Sequence, residues 1–151
     1  MASSWASSDA ETEALAAALA RELEPGAVVY VHGPLGAGKT VFVRGAARAL
    51  GARDQVTSPT FAVAHLYGGE RGPVAHLDLY RAERLTEEEW GDLEAYFDGP
   101  LAVFVEWPAA GAGILPAADV HVSIAVEPDG RRRIDVEHPG PRARASYTAP
   151  S

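Results

Sequence analysis

The sequence predicts an α/β fold in three layers, with helices on both faces of a mostly parallel sheet that ends in antiparallel strands. Three observations predict it. Residues 27–32 (AVVYVH) and 101–107 (LAVFVEW) are short and almost continuously apolar, as strands covered on both faces are. Segments with helical spacing flank them. Residues 119–127 and 132–138 alternate apolar and polar across the turn PDG, as a hairpin with one wet face does. At 151 residues and 47% hydrophobic, the chain has the size and apolar content of one domain with a sizeable core.

Ser8 and Glu11 have the spacing of a capping box, and Leu15, Leu19 and Leu23 follow at helical intervals until Pro25-Gly26 stops the run. The strand at 27–32 leads directly into glycines, after which residues 41–50 continue as a helix with Gly51 as its C-terminal cap. A polar loop is expected around TSPTF (57–61), then two strands, AVAHLY and PVAHLDLY, joined as a hairpin through Gly-Gly. Thr86 and Glu89 repeat the capping box and open an acidic helix that reaches about Phe97, before Gly99-Pro100. The strand at 101–107 follows, then a loop of Gly, Ala and Pro, then the final hairpin. One domain is expected over residues 1–138, and residues 139–151, rich in Pro, Arg, Ala and Ser, are expected to be a disordered tail.

Composition excludes several classes. There is no cysteine, so any metal is held by oxygen or histidine. The net charge is -8, and the basic residues are scattered apart from Arg131, Arg132 and Arg133, so direct contact with a nucleic acid is not expected. No apolar stretch approaches the roughly 20 residues that cross a bilayer, and a cytoplasmic protein without a membrane partner is expected.

The chemistry concentrates in GPLGAGKT, residues 33–40. It contains Lys39, the single lysine beside 12 arginines. The pattern is Gly33-x-x-x-x-Gly38-Lys39-Thr40 between a strand and a helix, which is the phosphate-binding P-loop. Glycines let successive backbone N–H groups curl around phosphates, and the helix N-terminus adds its positive dipole end. Lys39 supplies a compact point charge to the β- and γ-phosphates, a task a planar guanidinium does not match. Thr40 offers a hydroxyl to Mg²⁺, and the Val41 N–H stands where an α-phosphate is met. Lys39 is expected on an exposed loop.

A second Mg²⁺ anchor is expected as a carboxylate at a strand end, and both Glu106 and Asp78 qualify. Thr57, Ser58 and Thr60 around Pro59 suit either a switch loop that senses the γ-phosphate or an ordinary turn. Arg81 and His76 are open between a role in the site and a structural one. From Glu83 to Asp98 there are seven acids against Arg84, which fits a solvated helix face or a surface that docks on a basic partner.

Taken in order, GPLGAGKT, SPTF, HLDLYR and VEWP resemble the bacterial TsaE proteins, also called YjeE, across about residues 8–136. The resemblance implies a three-layer P-loop NTPase domain that hydrolyses ATP with Mg²⁺ and is required for threonylcarbamoyladenosine modification of tRNA. It further implies TsaD-like and TsaB-like partners, the ATP cycle resetting their complex between rounds. By position, Gly36, Ala37, Gly38, Lys39, Thr40 and Val41 would surround the phosphates, Thr40 and Glu106 would hold Mg²⁺, and Ser58-Pro59-Thr60 would be the switch-like loop. Asp78 would stand near the metal and the attacking water, ahead of Thr60 for orienting it, and Trp107 would lie near the nucleotide. Asp9, Glu11 and Arg131 would supply the adenine pocket. The segment around Trp5 matches nothing in the family pattern.

The alternatives are a small P-loop kinase or a nucleotide-dependent binding module. A kinase would need a charged lid, and the only candidate, residues 109–116, carries no charge. A GTPase is disfavoured, because guanine selection in that family uses an Asn-Lys-x-Asp-type motif and the chain has no second lysine to build it.

Overall fold

The computed structural model describes residues 2–57, 64–69, 74–80, 84–99 and 102–138. Its strands are β1 (Ala2–Ala6), β2 (Val28–His32), β3 (Ala52–Thr57), β4 (Ala64–Gly69), β5 (Val74–Asp78), β6 (Ala102–Glu106), β7 (Val120–Val126) and β8 (Arg132–Glu137). The α-helices are α1 (Asp9–Arg21), α2 (Lys39–Ala49) and α3 (Glu87–Leu93), and 3₁₀ turns cover Glu94–Phe97 and Pro108–Gly111. The strands form one sheet in the order β1-β8-β7-β2-β6-β5-β4-β3.

The four central strands, β7, β2, β6 and β5, run parallel, and both flanks are antiparallel. The division follows from connection length: only a few residues separate β4 from β5 and β7 from β8, which only antiparallel neighbours allow, whereas helices separate the parallel strands. Parallel strands are covered on both faces, and the continuous apolar runs of β2 and β6 reflect this. Along β6, Phe104 points into a core shared with α1 and α2, while Val103 and Val105 point into a second core with Leu85, Leu93 and Trp90. These two cores, one on each face of the sheet, make the three layers.

The helix starts follow the capping chemistry of the sequence. Ser8 Oγ accepts from the Glu11 N–H at 3.1 Å, while the Glu11 carboxylate reaches back one residue further than expected, to the Ser7 N–H at 3.0 Å. At α3 the capping box is complete, with Thr86 and Glu89 each bonded to the other's backbone N–H. On the other side of the sheet, α1 lies so close to α2 that Gly45 meets the backbone of Glu13.

Two strands were not expected. β1 occupies the segment around Trp5 and pairs with β8, and β3 takes Ala52–Thr57, where the loop expected around TSPTF would begin. Residues 58–63, including Ser58, Pro59 and Thr60, lie outside the described residues, as do Arg81, Glu83 and 139–151. Among the described residues no helix is long and apolar enough to cross a membrane.

Candidate functional site

The glycine loop sits at the C-terminal end of β2, where an open α/β sheet presents its ligand crevice. Local sterics explain two of its glycines. A Cβ on Gly33 would lie 2.6 Å from the Ile124 carbonyl oxygen, so the loop passes β7 only without a side chain. Gly38 is the N-cap of α2 at φ 103°, the left-handed region that side chains avoid. The Ala37 N–H donates to the Pro34 carbonyl at 3.1 Å and closes the turn.

Helix α2 starts at Lys39, two residues earlier than the sequence predicts, and this corrects the expectation of an exposed lysine. Lys39 is only 4% exposed. As the first helical residue it turns its stem inward, and Nζ donates to the carbonyls of Gly33 at 2.6 Å and Pro34 at 2.9 Å. The ammonium also lies 4.1 Å from the centroid of the Trp107 ring, a cation–π contact. Burial lowers the Lys39 pKa, and the carboxylates of Glu106 and Asp78 oppose that shift.

Thr40 Oγ1 donates to Glu106 Oε2 at 3.0 Å. Glu106, at the end of β6, is buried, and the same oxygen lies 2.6 Å from His76 Nε2 on the neighbouring β5. His76 is thus a partner of Glu106. Its Nδ1, buried, has no hydrogen-bond partner among the described residues. Asp78 stands level with Glu106 across the parallel pair β5–β6, and its Oδ1 accepts from the Tyr80 N–H at 3.0 Å. The parallel register therefore brings Asp78 and Glu106 to one end of the sheet.

Trp107 follows Glu106 with φ 57°, the one positive-φ residue other than glycine among the described residues. Such a conformation costs roughly 1–3 kcal/mol and tends to occur at functional sites. Here it lays the indole beside Lys39 and against Tyr80, with ring centroids 5.0 Å apart.

The residues expected around a base are less gathered. Asp9 opens α1, exposed. Arg131 is tied to Asp129 in the hairpin turn, with Nε 2.8 Å from Oδ2. Its neighbour Arg132 is the arginine that meets the loop: Nε donates to the Ala37 carbonyl at 2.8 Å and Nη2 to that of Gly36 at 3.4 Å. Sequence reasoning passed over Arg132, although it shares strand phase with the apolar Ile134 and Val136, both buried in the core on the α1–α2 side.

A cavity of about 490 Å³ adjoins Gly33 and Trp107, walled by residues 108–109, 111–113 and 115–117 and floored by Tyr30, His32 and His121. The Tyr30 hydroxyl donates to the Pro116 carbonyl, and burial pushes its pKa up to about 12. His32 Nε2 and His121 Nδ1 are 2.9 Å apart; burial and then the His121 neighbour lower the His32 pKa. Among the described residues no three His, Cys, Asp or Glu side chains gather as a metal cage.

A family model described as threonylcarbamoyl adenosine biosynthesis protein TsaE matches residues 6–134. The tRNA threonylcarbamoyladenosine biosynthesis protein TsaE of Treponema pallidum is 40% identical over 117 residues, covering 77% of this chain and 85% of that protein. The Bacillus subtilis TsaE is 38% identical over 124 residues, 82% of this chain and 77% of the relative. A crystal structure of YdiB from Bacillus subtilis matches with TM-score 0.72 at 31% identity, over 91% of this chain and 85% of that one. With its loop, its strand-end carboxylates and this span of similarity, the chain belongs to the TsaE family of tRNA threonylcarbamoyladenosine biosynthesis proteins.

Proposed function

We propose that the protein is a Mg²⁺-dependent ATPase that acts in the cytoplasm with TsaD-like and TsaB-like partners in threonylcarbamoyladenosine modification of tRNA. The observation that carries this reading is the meeting of Thr40 Oγ1 and Glu106 Oε2 at 3.0 Å, at the start of the helix that begins with buried Lys39. A hydroxyl and a carboxylate are hard oxygen donors, and Mg²⁺ is commonly held by one or two protein ligands together with phosphates and waters. Thr40 and Glu106 fit that role. When bound, Mg²⁺ neutralises charge on the phosphate oxygens.

The rest falls to the chain. Gly36, Ala37, Gly38, Lys39, Thr40 and Val41 surround the phosphates, which are received by backbone N–H groups, that of Gly38 among them, and by the helix dipole, while the Ala37 N–H keeps the turn closed on Pro34. Lys39 Nζ exchanges its two carbonyl partners for phosphate oxygens and stabilises the charge that develops on the γ-phosphate. Asp78, level with Glu106, orients the attacking water ahead of Thr60. His76 holds the Glu106 carboxylate in place, as outer partners of metal ligands do. Asp9 and Arg131 are the candidates for the base, Arg131 having first to leave Asp129. A net charge of -8 favours protein partners over direct RNA contact.

The kinase alternative gains little from the cavity beside Gly33, whose lining contains no arginine to close over phosphates. The test is ATP hydrolysis by the purified protein with Mg²⁺, with and without TsaB-like and TsaD-like proteins. Weak activity alone with strong stimulation by the pair is the expected result. Unchanged activity in their presence would contradict the role in the complex and reopen the search for a phosphoryl acceptor.

A further inference from the structure

We infer that Arg132 is a positioning residue that holds the phosphate-binding loop in its receiving shape from the C-terminal hairpin. This rests on the nucleotide-binding reading of residues 33–40. Arg132 is the first residue of β8, half-buried, and in register with Ala6 on β1 and Val126 on β7. Strand alternation puts it on the face of Ile134 and Val136, toward the loop. Its guanidinium makes three donations: Nε to Ala37 O at 2.8 Å, Nη2 to Gly36 O at 3.4 Å and Nη1 to Gly130 O at 3.2 Å. The fork therefore ties two consecutive loop carbonyls to the hairpin turn.

The peptide plane turns this tie into function. The described residues contain no cis bond, and in a trans peptide the carbonyl and the following N–H point in opposite directions. Holding the carbonyls of Gly36 and Ala37 against β8 turns the N–H groups of Ala37 and Gly38 away from it. The Ala37 N–H closes the turn onto Pro34. The Gly38 N–H remains as a donor whose direction is set by Arg132. A loop of glycines has many conformations available, and fixing two adjacent peptides in advance removes part of the ordering cost of binding a phosphate. Guanidinium suits the task, because it stays charged at every working pH and presents donors at fixed angles, where an ammonium offers one centre.

Donors fixed in this way meet the phosphates in the ground state and the transition state alike, so their loss belongs in KM. The experiment compares wild type with Arg132→Met, which keeps much of the apolar stem, and Arg132→Lys, which keeps the charge. ADP affinity is read by calorimetry, ATP turnover by KM and kcat, and folding by thermal unfolding. With hydrogen bonds from a charged group at stake, Arg132→Met is expected to weaken ADP binding and raise KM about tenfold, with kcat changed less than about twofold. Arg132→Lys, able to reach one carbonyl, is expected to fall between the two, and it carries the test alone if the Met variant does not fold. Wild type that binds ADP with either variant matching it overturns the inference and leaves the nucleotide reading standing. A loss confined to kcat also overturns it. Wild type that binds no ADP overturns the nucleotide reading and the inference with it.

Discussion

Replacing Gly45 by alanine should destabilise the protein, although alanine is the better helix former by about 1 kcal/mol. Gly45 lies within α2, and a Cβ there would stand 2.6 Å from Glu13 Cα, 2.7 Å from Glu13 O and 2.9 Å from Glu13 Cβ. Carbon atoms rest at about 3.5–4.0 Å, so α1 and α2 must separate by roughly 1 Å. Two of the three atoms are backbone and cannot rotate away. Overpacking of this kind costs about 1–3 kcal/mol, and contact with backbone places it at or above the upper end. Set against the propensity gain, the net loss is about 2 kcal/mol, or a Tm lower by about 4–8 °C for a domain of this size. Gly91 in α3 is the control, because a Cβ there meets nothing within 4 Å. Gly91→Ala should raise Tm by about 2–3 °C. Thermal unfolding followed by circular dichroism reads both. A Gly45→Ala protein as stable as wild type would refute the reasoning from interhelix distance, and because α2 starts with Lys39 and Thr40, ADP affinity should fall with stability.

Three other outcomes follow from the site. Lys39→Ala should lower kcat/KM for ATP by about a hundredfold or more, with Tm little changed because the lost ammonium was buried at a cost; this is read by steady-state hydrolysis and unfolding. His76→Ala leaves Thr40 as the remaining side-chain partner of buried Glu106 among the described residues and opens a small cavity, so a loss of about 3 kcal/mol and about 6–12 °C in Tm is expected, with His76→Gln recovering part of it. The His32 pKa is lowered in the fold, so the unfolded chain takes up a proton first: the stability this group contributes is present above pH 6.5 and is lost as pH falls below it. Unfolding midpoints across that range should decline more steeply in wild type than in His32→Gln.

Much of the site is legible in the chain because its chemistry is local. A loop that must bend without side chains, point a lysine and offer a hydroxyl has to keep those residues in sequence, and the strand ending in Glu106 shows as an apolar run closed by a carboxylate. What is not legible depends on pairing. β1 reads as small and polar residues around an exposed Trp5 because an edge strand pairs on one side and buries only Ser4 and Ala6 well. β3 is equally weakly patterned, and the Ala52–Thr57 run reads as a polar approach to a loop. The choice of Arg132 over Arg131 follows from strand phase, which alternation from Ile134 and Val136 sets, and the burial of Lys39 follows from a helix that starts at the lysine itself. His76 shows no partner until β5 and β6 lie side by side.

The pairing of β1 with β8 also has a consequence for how the chain acquires its site. Ser3 and Asp135, joined at 2.6 Å, are 132 positions apart in sequence. Closing so long a loop is entropically costly and slow, which places it late in folding. During synthesis, β1 and α1 leave the ribosome long before β8 exists, so the first strand waits without its partner. The loop at 33–40 is likewise made early and braced late, because Arg132 arrives on the same final strand. The nascent chain thus carries every residue that would touch a phosphate well before it holds them in order, and competence to bind is completed by the hairpin that zips the two ends of the sheet's edge together.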